Sequence, residues 1–222
     1  MKRLLITIDG PGGAGKTTVS RKVAQRLGYT YVDTGALYRA VALAVLRGRC
    51  SAEDDDKLVK VCKCLAFEFK DTARGFVLFM NGVDISGEIR TQQITMLASA
   101  LSARPVVRQY LLDVQRRMAK DGGVVFEGRD MGTVVFPEAD VKLFLYADHD
   151  ARALRRYKEL VANDQMVSLE EVSETIKRRD YDDSNRVLAP LKPARDAIRI
   201  DSTFLGIEEV VDLVFRHIGD SL

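Results

Sequence analysis

The chain has 222 residues, 46% of them hydrophobic and 30% charged, with a net charge of +2. That length suits one core carrying a modest insertion, and the composition excludes disordered, fibrous and membrane-spanning classes. The small basic excess argues against a surface built to coat nucleic acid, so any anion binding has to be local.

The elements follow in chain order. Leu4 to Ile8 is a short apolar run ending at Asp9 and a glycine cluster, the pattern of a buried parallel strand. Val19, Val23 and Leu27 then repeat at helical spacing until Gly28. Tyr29 to Val32 predicts a second strand, and Leu37, Ala40, Val41, Ala44 and Val45 predict a helix ending at Gly48. The pattern changes at Phe67 and Phe69, which alternate with charged residues. Phe76 to Met80 and Val83 to Ile85 are joined by Asn81-Gly82, a two-residue hairpin signal. Ile94, Leu97, Ala98 and Leu101 predict a short helix, and Pro105 opens another along Val107, Leu111, Val114 and Met118. Parallel-type strands return at Val124 to Glu127, Val141 to Tyr146 and Ala197 to Ile200, with arginine-rich helical sequence between the last two. The expected class is α/β, a parallel sheet flanked by helices with a small antiparallel β insertion. Boundaries near Ser51 and Pro105 divide it into a core of 1–50 and 105–222 around an insertion of 51–104.

Cys50, Cys62 and Cys64 are odd in number and distant from His149 and His217, which predicts reduced thiols rather than a four-ligand metal centre. Met1, Lys2 and Arg3 precede an apolar run too brief for a signal sequence or a bilayer span, so a cytosolic chain is expected.

Gly10-Pro11-Gly12-Gly13-Ala14-Gly15-Lys16-Thr17 fits G-x-x-x-x-G-K-[ST] at every fixed position, after a predicted strand and at the start of a predicted helix. Glycines let backbone N–H groups converge on phosphate, and the helix start adds its positive end. Lys16 neutralises the β- and γ-phosphates of a nucleoside triphosphate, the Thr17 hydroxyl is placed for Mg²⁺, and Thr18 caps the helix or touches the α-phosphate. Asp9, Asp33 and Glu127, all at strand ends, are alternative carboxylates for that metal.

No N-K-x-D string is present, which argues against a GTP switch. A kinase for an anionic acceptor needs a second set of cations. Arg152, Arg155 and Arg156 offer one on a single helix face, although Glu159 and Glu174 allow the alternative of ordinary solvated faces. Arg129-Asp130 follows the third core strand, where open α/β sheets hold ligands. That pair reads as a buried ion pair or as one phosphate contact and one base contact.

These residues resemble the bacterial cytidylate kinases, nucleoside monophosphate kinases of the P-loop NTPase class. The likeness rests on Ile6–Asp9 running into the glycine loop, Asp33-Thr34-Gly35-Ala36-Leu37-Tyr38-Arg39, Asp84–Thr91, Gly128–Pro137, and Asn185-Arg186 with Ala189–Leu191. It implies a three-layer fold with a five-stranded parallel sheet, a lid at about 150–185, and a CMP-binding role for 51–104. It implies transfer from Mg²⁺-ATP to CMP or dCMP, with Ser99, Arg108 and Asp130 reading cytosine. Arg39, Arg129 and Arg186 would hold the acceptor phosphate, and Arg179 and Asp183 the pentose, with Thr34 and Tyr38 lining that pocket. Lys16 and the lid arginines Arg152 to Arg156 would meet the ATP phosphates, and the metal would rest on Thr17, with Asp33 or Glu127 acting through water. The chain departs from the family pattern at Glu127, Thr34 and Ser184. A monomer acting on small molecules, without nucleic acid or membrane, is expected. The alternatives are a P-loop kinase for UMP, AMP or shikimate, and a non-catalytic nucleotide-binding regulator.

Overall fold

A computed structural model describes residues 3–73, 75–162 and 164–219; Met1 and Lys2, the first residues of the expected core, lie outside them. Strand β1 (Leu5–Asp9) occupies the centre of a five-stranded sheet. Its partners are β6 (Val124–Gly128), in register Leu5 to Val124, and β7 (Val141–Tyr146), in register Ile6 to Val141. The flanking strands are β2 (Thr30–Asp33) beside β6 and β8 (Ile198–Asp201) beside β7, and all four pairings are parallel. A strand with neighbours on both sides and helices on both faces is buried throughout, as Ile6, Thr7 and Ile8 are.

Helix α1 (Lys16–Leu27) follows the glycine loop and stops at Gly28, whose φ of 64° and N–H bonds to Ala24 and Gln25 close the last turn. Asp33 ends β2 and caps α2 (Thr34–Arg47) by accepting from the Ala36 N–H. The helix α3 (Asp55–Lys63) was not anticipated from sequence; Asp54 caps it, and only Leu58 and Cys62 are buried along it. The insertion sheet is antiparallel, with β3 (Phe67–Thr72), β4 (Gly75–Met80) and β5 (Val83–Asp84) in that order. Asn81 and Gly82 both have positive φ, 51° and 81°, the turn that the Asn-Gly pair predicts. Beyond a 3₁₀ turn at Glu88–Arg90 come α4 (Gln92–Ser102) and α5 (Pro105–Met118), the latter opened by its proline.

Two further elements escaped the sequence reading: a π-helical turn at Met131–Val135 and the terminal helix α8 (Ile207–Gly219). The arginine-rich segment forms α6 (His149–Ala162) and α7 (Leu169–Asn185), with a reciprocal Ser168–Glu171 capping box starting α7.

One apolar core joins a sheet face to α2 and α5 and runs without a break into α3, α4 and the small sheet through Leu58, Leu78, Ile85, Ile94 and Leu101. The insertion therefore shares the core of the main body. The opposite sheet face packs on α1 and α8 through Val19, Val23, Val211 and Val214, which completes three layers. Helices α6 and α7 bury only a small cluster of their own, Ala153, Val172 and Ile176. Among the described residues no helix is long and apolar enough to cross a membrane.

Candidate active site

The glycine loop lies at the C-terminal end of β1. Gly10 has a φ of 147°, and a Cβ there would stand 1.9 Å from the Leu145 carbonyl oxygen, so no other residue fits. The loop carbonyls are fastened from behind: Lys16 Nζ donates to Pro11 at 2.6 Å, Arg152 Nη1 to Gly12 at 3.1 Å, and Ser202 Oγ to Ala14 at 3.1 Å. Turning carbonyls outward turns N–H groups inward. The N–H groups of Gly13, Gly15, Lys16 and Thr17 donate to no other described residue, which makes the loop an anion cradle. Thr17 and Thr18 are exposed at its rim.

Lys16 is buried, and its pKa falls to about 7, first through loss of water and then through Arg129, with Glu127 opposing and Arg179 adding. The three candidate metal carboxylates separate by what they hold. Asp9 accepts from the N–H groups of Met131 and Gly132 at 2.9 and 2.7 Å, so it shapes the π-helical turn; burial raises its pKa to about 6. Asp33 caps α2 and pairs with Arg39 at 2.9 Å. Glu127 accepts from the Thr17 hydroxyl at 2.8 Å and from Tyr31 at 2.5 Å, and burial, aided by Asp33, raises its pKa. A hydroxyl beside a carboxylate suits Mg²⁺, which takes few protein ligands and relies on phosphates and water. No cluster of three or more metal-binding side chains occurs among the described residues.

Across from the cradle, Asp130 is buried and pairs with Arg108, while Arg186 lies 3.5 Å away. Arg108 also donates to the Ser102 carbonyl at the end of α4. Ser99, one turn earlier, is exposed, and its hydroxyl makes no hydrogen bond among the described residues. Tyr38 stands beside Arg108, Asp130 and Arg186, and burial pushes its phenol up to about 12. Arg129 bridges the two halves. Its Nε donates to Asp183 at 3.0 Å, and its Nη2 lies 3.8 Å from where a Cβ on Gly12 would stand. Arg186 approaches Asp183 at 4.0 Å. Burial alone would raise the Asp183 pKa, but Arg129 and Arg179 hold it below the usual carboxylate range. The Arg179 pKa is pulled down to about 10 by Arg129 first, then by loss of water, Arg39 and Arg156, against Asp183. Because Arg179 keeps exposed surface, we assign the shift to like-charge crowding.

Some sequence expectations are revised. Arg152, Arg155 and Arg156 do not converge on one ligand. Arg152 is buried, donating to the Ala147 and Gly12 carbonyls and pairing with Asp180 of α7 at 2.7 Å. Arg155 reaches Ser202 and Thr203 beyond β8, and Arg156 pairs with Glu159 at 2.7 Å near the surface. The two like charges at positions 152 and 156 thus each have a protein carboxylate, which removes the argument for an anion between them. The Thr34 hydroxyl, expected to line a sugar pocket, donates to the Glu127 carbonyl at 2.7 Å and lies within 2.9 Å of a Cβ built on Gly128. It supports the floor of the site. Tyr31, Asp180 and Ser202 were not anticipated, since single polar residues of this kind carry no motif.

A phosphate-binding loop between β1 and α1, a 2-6-1-7-8 sheet and an arginine-rich cleft define a P-loop phosphotransferase. Comparison with known proteins narrows the class. The cytidylate kinase family model matches residues 6–220, and the chain belongs to that family. It is 51% identical to a cytidylate kinase of Geobacter sulfurreducens, over 94% of this chain and 90% of that one. It is 47% identical to a cytidylate kinase of Geobacter sp. strain M21, over 99% and 94%. An uncharacterized protein from Eubacterium ventriosum shares the fold alone, with a TM-score of 0.52 and 12% identity over 98% of this chain and 99% of that one.

Proposed function

We propose that the chain phosphorylates CMP and dCMP from ATP, giving CDP or dCDP and ADP. The observation that carries this reading is the crowding of Lys16, Arg129 and Arg179: Arg129 is the first cause of the lowered Arg179 pKa and, after burial, the next cause of the lowered Lys16 pKa. Cations pressed together in this way are relieved when two phosphate-bearing molecules enter the cleft.

The donor triphosphate lies in the Gly10 to Thr18 cradle with Lys16 on its terminal phosphates. Thr17 would hold Mg²⁺, with Glu127 acting through water, and the metal supplies charge neutralisation on the transferring group. Arg39, Arg129 and Arg186 grip the acceptor phosphate, and Arg179 and Asp183 the pentose, beside Tyr38. Cytosine offers its N4 amino group to Asp130 and its N3 and O2 to Arg108 and Ser99. An acceptor phosphate oxygen then attacks the γ-phosphorus in line; that P–O bond forms as the bond to the β,γ-bridging oxygen breaks. No side-chain nucleophile is needed, because positioning and charge do the catalysis. The segment 51–104 serves the acceptor, and 150–185 closes as a lid that excludes water, bringing Arg156 toward the donor while Arg152 braces the cradle. We read the protein as a cytoplasmic monomer.

A coupled assay of ADP release over CMP, dCMP, UMP, AMP and shikimate tests the reading. Turnover is expected with the two cytidine nucleotides. Preference for another acceptor, or nucleotide binding without acceptor-stimulated turnover, refutes it.

A further inference from the structure

Beside the Asp33–Arg39 pair, on the side of the insertion sheet, is a cavity of about 30 Å³. Its polar lining is Arg21 of α1, Asp33, Arg39, Ser86 and Arg90. Asp33 is the single carboxylate among the described lining residues, and Arg39 holds it at 2.9 Å. Arg21 and Arg90 form no ion pair with a described residue, and the guanidinium of Arg21 rests over the Tyr31 ring. Nε of Arg21 and Nε of Arg39 are both buried with no hydrogen-bond partner among the described residues. The Ser86 hydroxyl oxygen accepts weakly from the Leu78 N–H at 3.4 Å, which leaves its own hydrogen to donate.

Three guanidinium groups against one carboxylate leave an excess of two positive charges on a partly dry wall, together with orphaned N–H donors. Both are unfavourable without a counter-charge. Water satisfies a donor but does not balance charge. A tetrahedral oxyanion does both, and guanidinium forks match its oxygens. At about 10–15 Å³ per water, a cavity of about 30 Å³ offers the space of two or three waters, which suits the oxygens of one such anion better than a base or sugar.

We propose that this cavity is a second anion site, separate from the cradle, taking a phosphate dianion on Arg21, Arg39, Arg90 and the Ser86 hydroxyl. Because Arg39 belongs to both places, an anion in the cavity holds it back from the acceptor. Phosphate accordingly raises the acceptor KM and leaves kcat unchanged. The phosphate is either free orthophosphate or the exposed end of a phosphomonoester that remains outside.

The test is anomalous scattering from crystals of the full chain soaked in selenate. Peaks are expected in the cradle and in the cavity, and the double variant Arg21→Gln/Arg90→Gln should lose the second and keep the first. The cradle peak is an internal control, and the readout is independent of which acceptor the enzyme uses. No cavity peak while the cradle is filled, or a cavity peak that survives the double variant, overturns the proposal. If the double variant fails to fold, Arg90→Gln alone carries the comparison, since Arg90 is exposed. In solution, the orthophosphate inhibition constant against the acceptor should rise on the order of tenfold in the variant, the loss expected for a charge-assisted contact. An unchanged constant counts against the site. Ribose 5-phosphate in place of orthophosphate, with the same loss in the variant, assigns the site to phosphomonoesters; inhibition by orthophosphate alone assigns it to the free ion.

Discussion

Nucleotide binding should take up a proton at alkaline pH, and Lys16 is the reason. In the free protein its ammonium is held near pKa 7 by burial and by Arg129. Triphosphate oxygens supply the missing counter-charge and return the group toward its ordinary value of about 10.4. The lysine is thus largely neutral before binding and charged after it across roughly pH 7.5 to 10. Affinity is fully expressed below pH 7 and falls as pH rises through that window, because a proton must be supplied. Moving from pH 7 to pH 9 should weaken Kd by about fiftyfold, close to 2.3 kcal/mol, if Lys16 is the only linked group. Calorimetric titration of a non-hydrolysable ATP analogue at pH 8.5, in buffers of different ionisation enthalpy, should give an uptake of about one proton. Asp9, at about 6, does not titrate there. Lys16→Arg, charged throughout, should abolish the uptake. Uptake near zero in the wild type, or persisting in Lys16→Arg, refutes the reasoning.

Other outcomes follow from single contacts. Asp130→Ala removes the carboxylate that faces Arg108 and Arg186; the KM for CMP should rise about a hundredfold, and an equal loss on UMP would contradict base reading by Asp130. Glu127→Gln keeps the shape beside Thr17 and Tyr31 but removes the charge. The Mg²⁺ concentration for half-maximal rate should rise by about tenfold, and an unchanged Mg²⁺ profile assigns the metal to another carboxylate. Gly10→Ala drives a methyl into the Leu145 carbonyl and should destabilise by about 3 kcal/mol or more, read as a lowered midpoint in urea; an unshifted midpoint removes the close-approach argument.

The local chain already contained the glycine loop, the strand and helix order, the Asn81-Gly82 turn and the proline that opens α5, because each depends on backbone conformations that neighbouring residues dictate. The family resemblance supplied the acceptor residues, and the structure brings Arg108 and Asp130 into contact and sets Arg129 and Arg186 beside Asp183. Helix α3 was hidden because it buries only Leu58 and Cys62, too few apolar positions to register as a period. Helix α8 was passed over although Val210, Val211, Val214 and Ile218 mark its buried face. The π-helical turn could not be read locally, since the carboxylate that holds Met131 and Gly132 is Asp9, at the end of another strand.

Helical spacing placed Arg152 and Arg156 together, yet the fold sends one to the cradle and Asp180 and the other to Glu159. Long side chains choose partners by where oppositely charged and carbonyl groups arrive in space. The same holds for the three acids, identical in sequence logic as strand-end carboxylates, of which Glu127 alone meets the Thr17 hydroxyl. What the sequence determined by itself was therefore the backbone cradle and the class of chemistry it serves. Only the tertiary structure decided which charges face each other, because Coulomb energy and desolvation depend on distances between residues far apart in the chain.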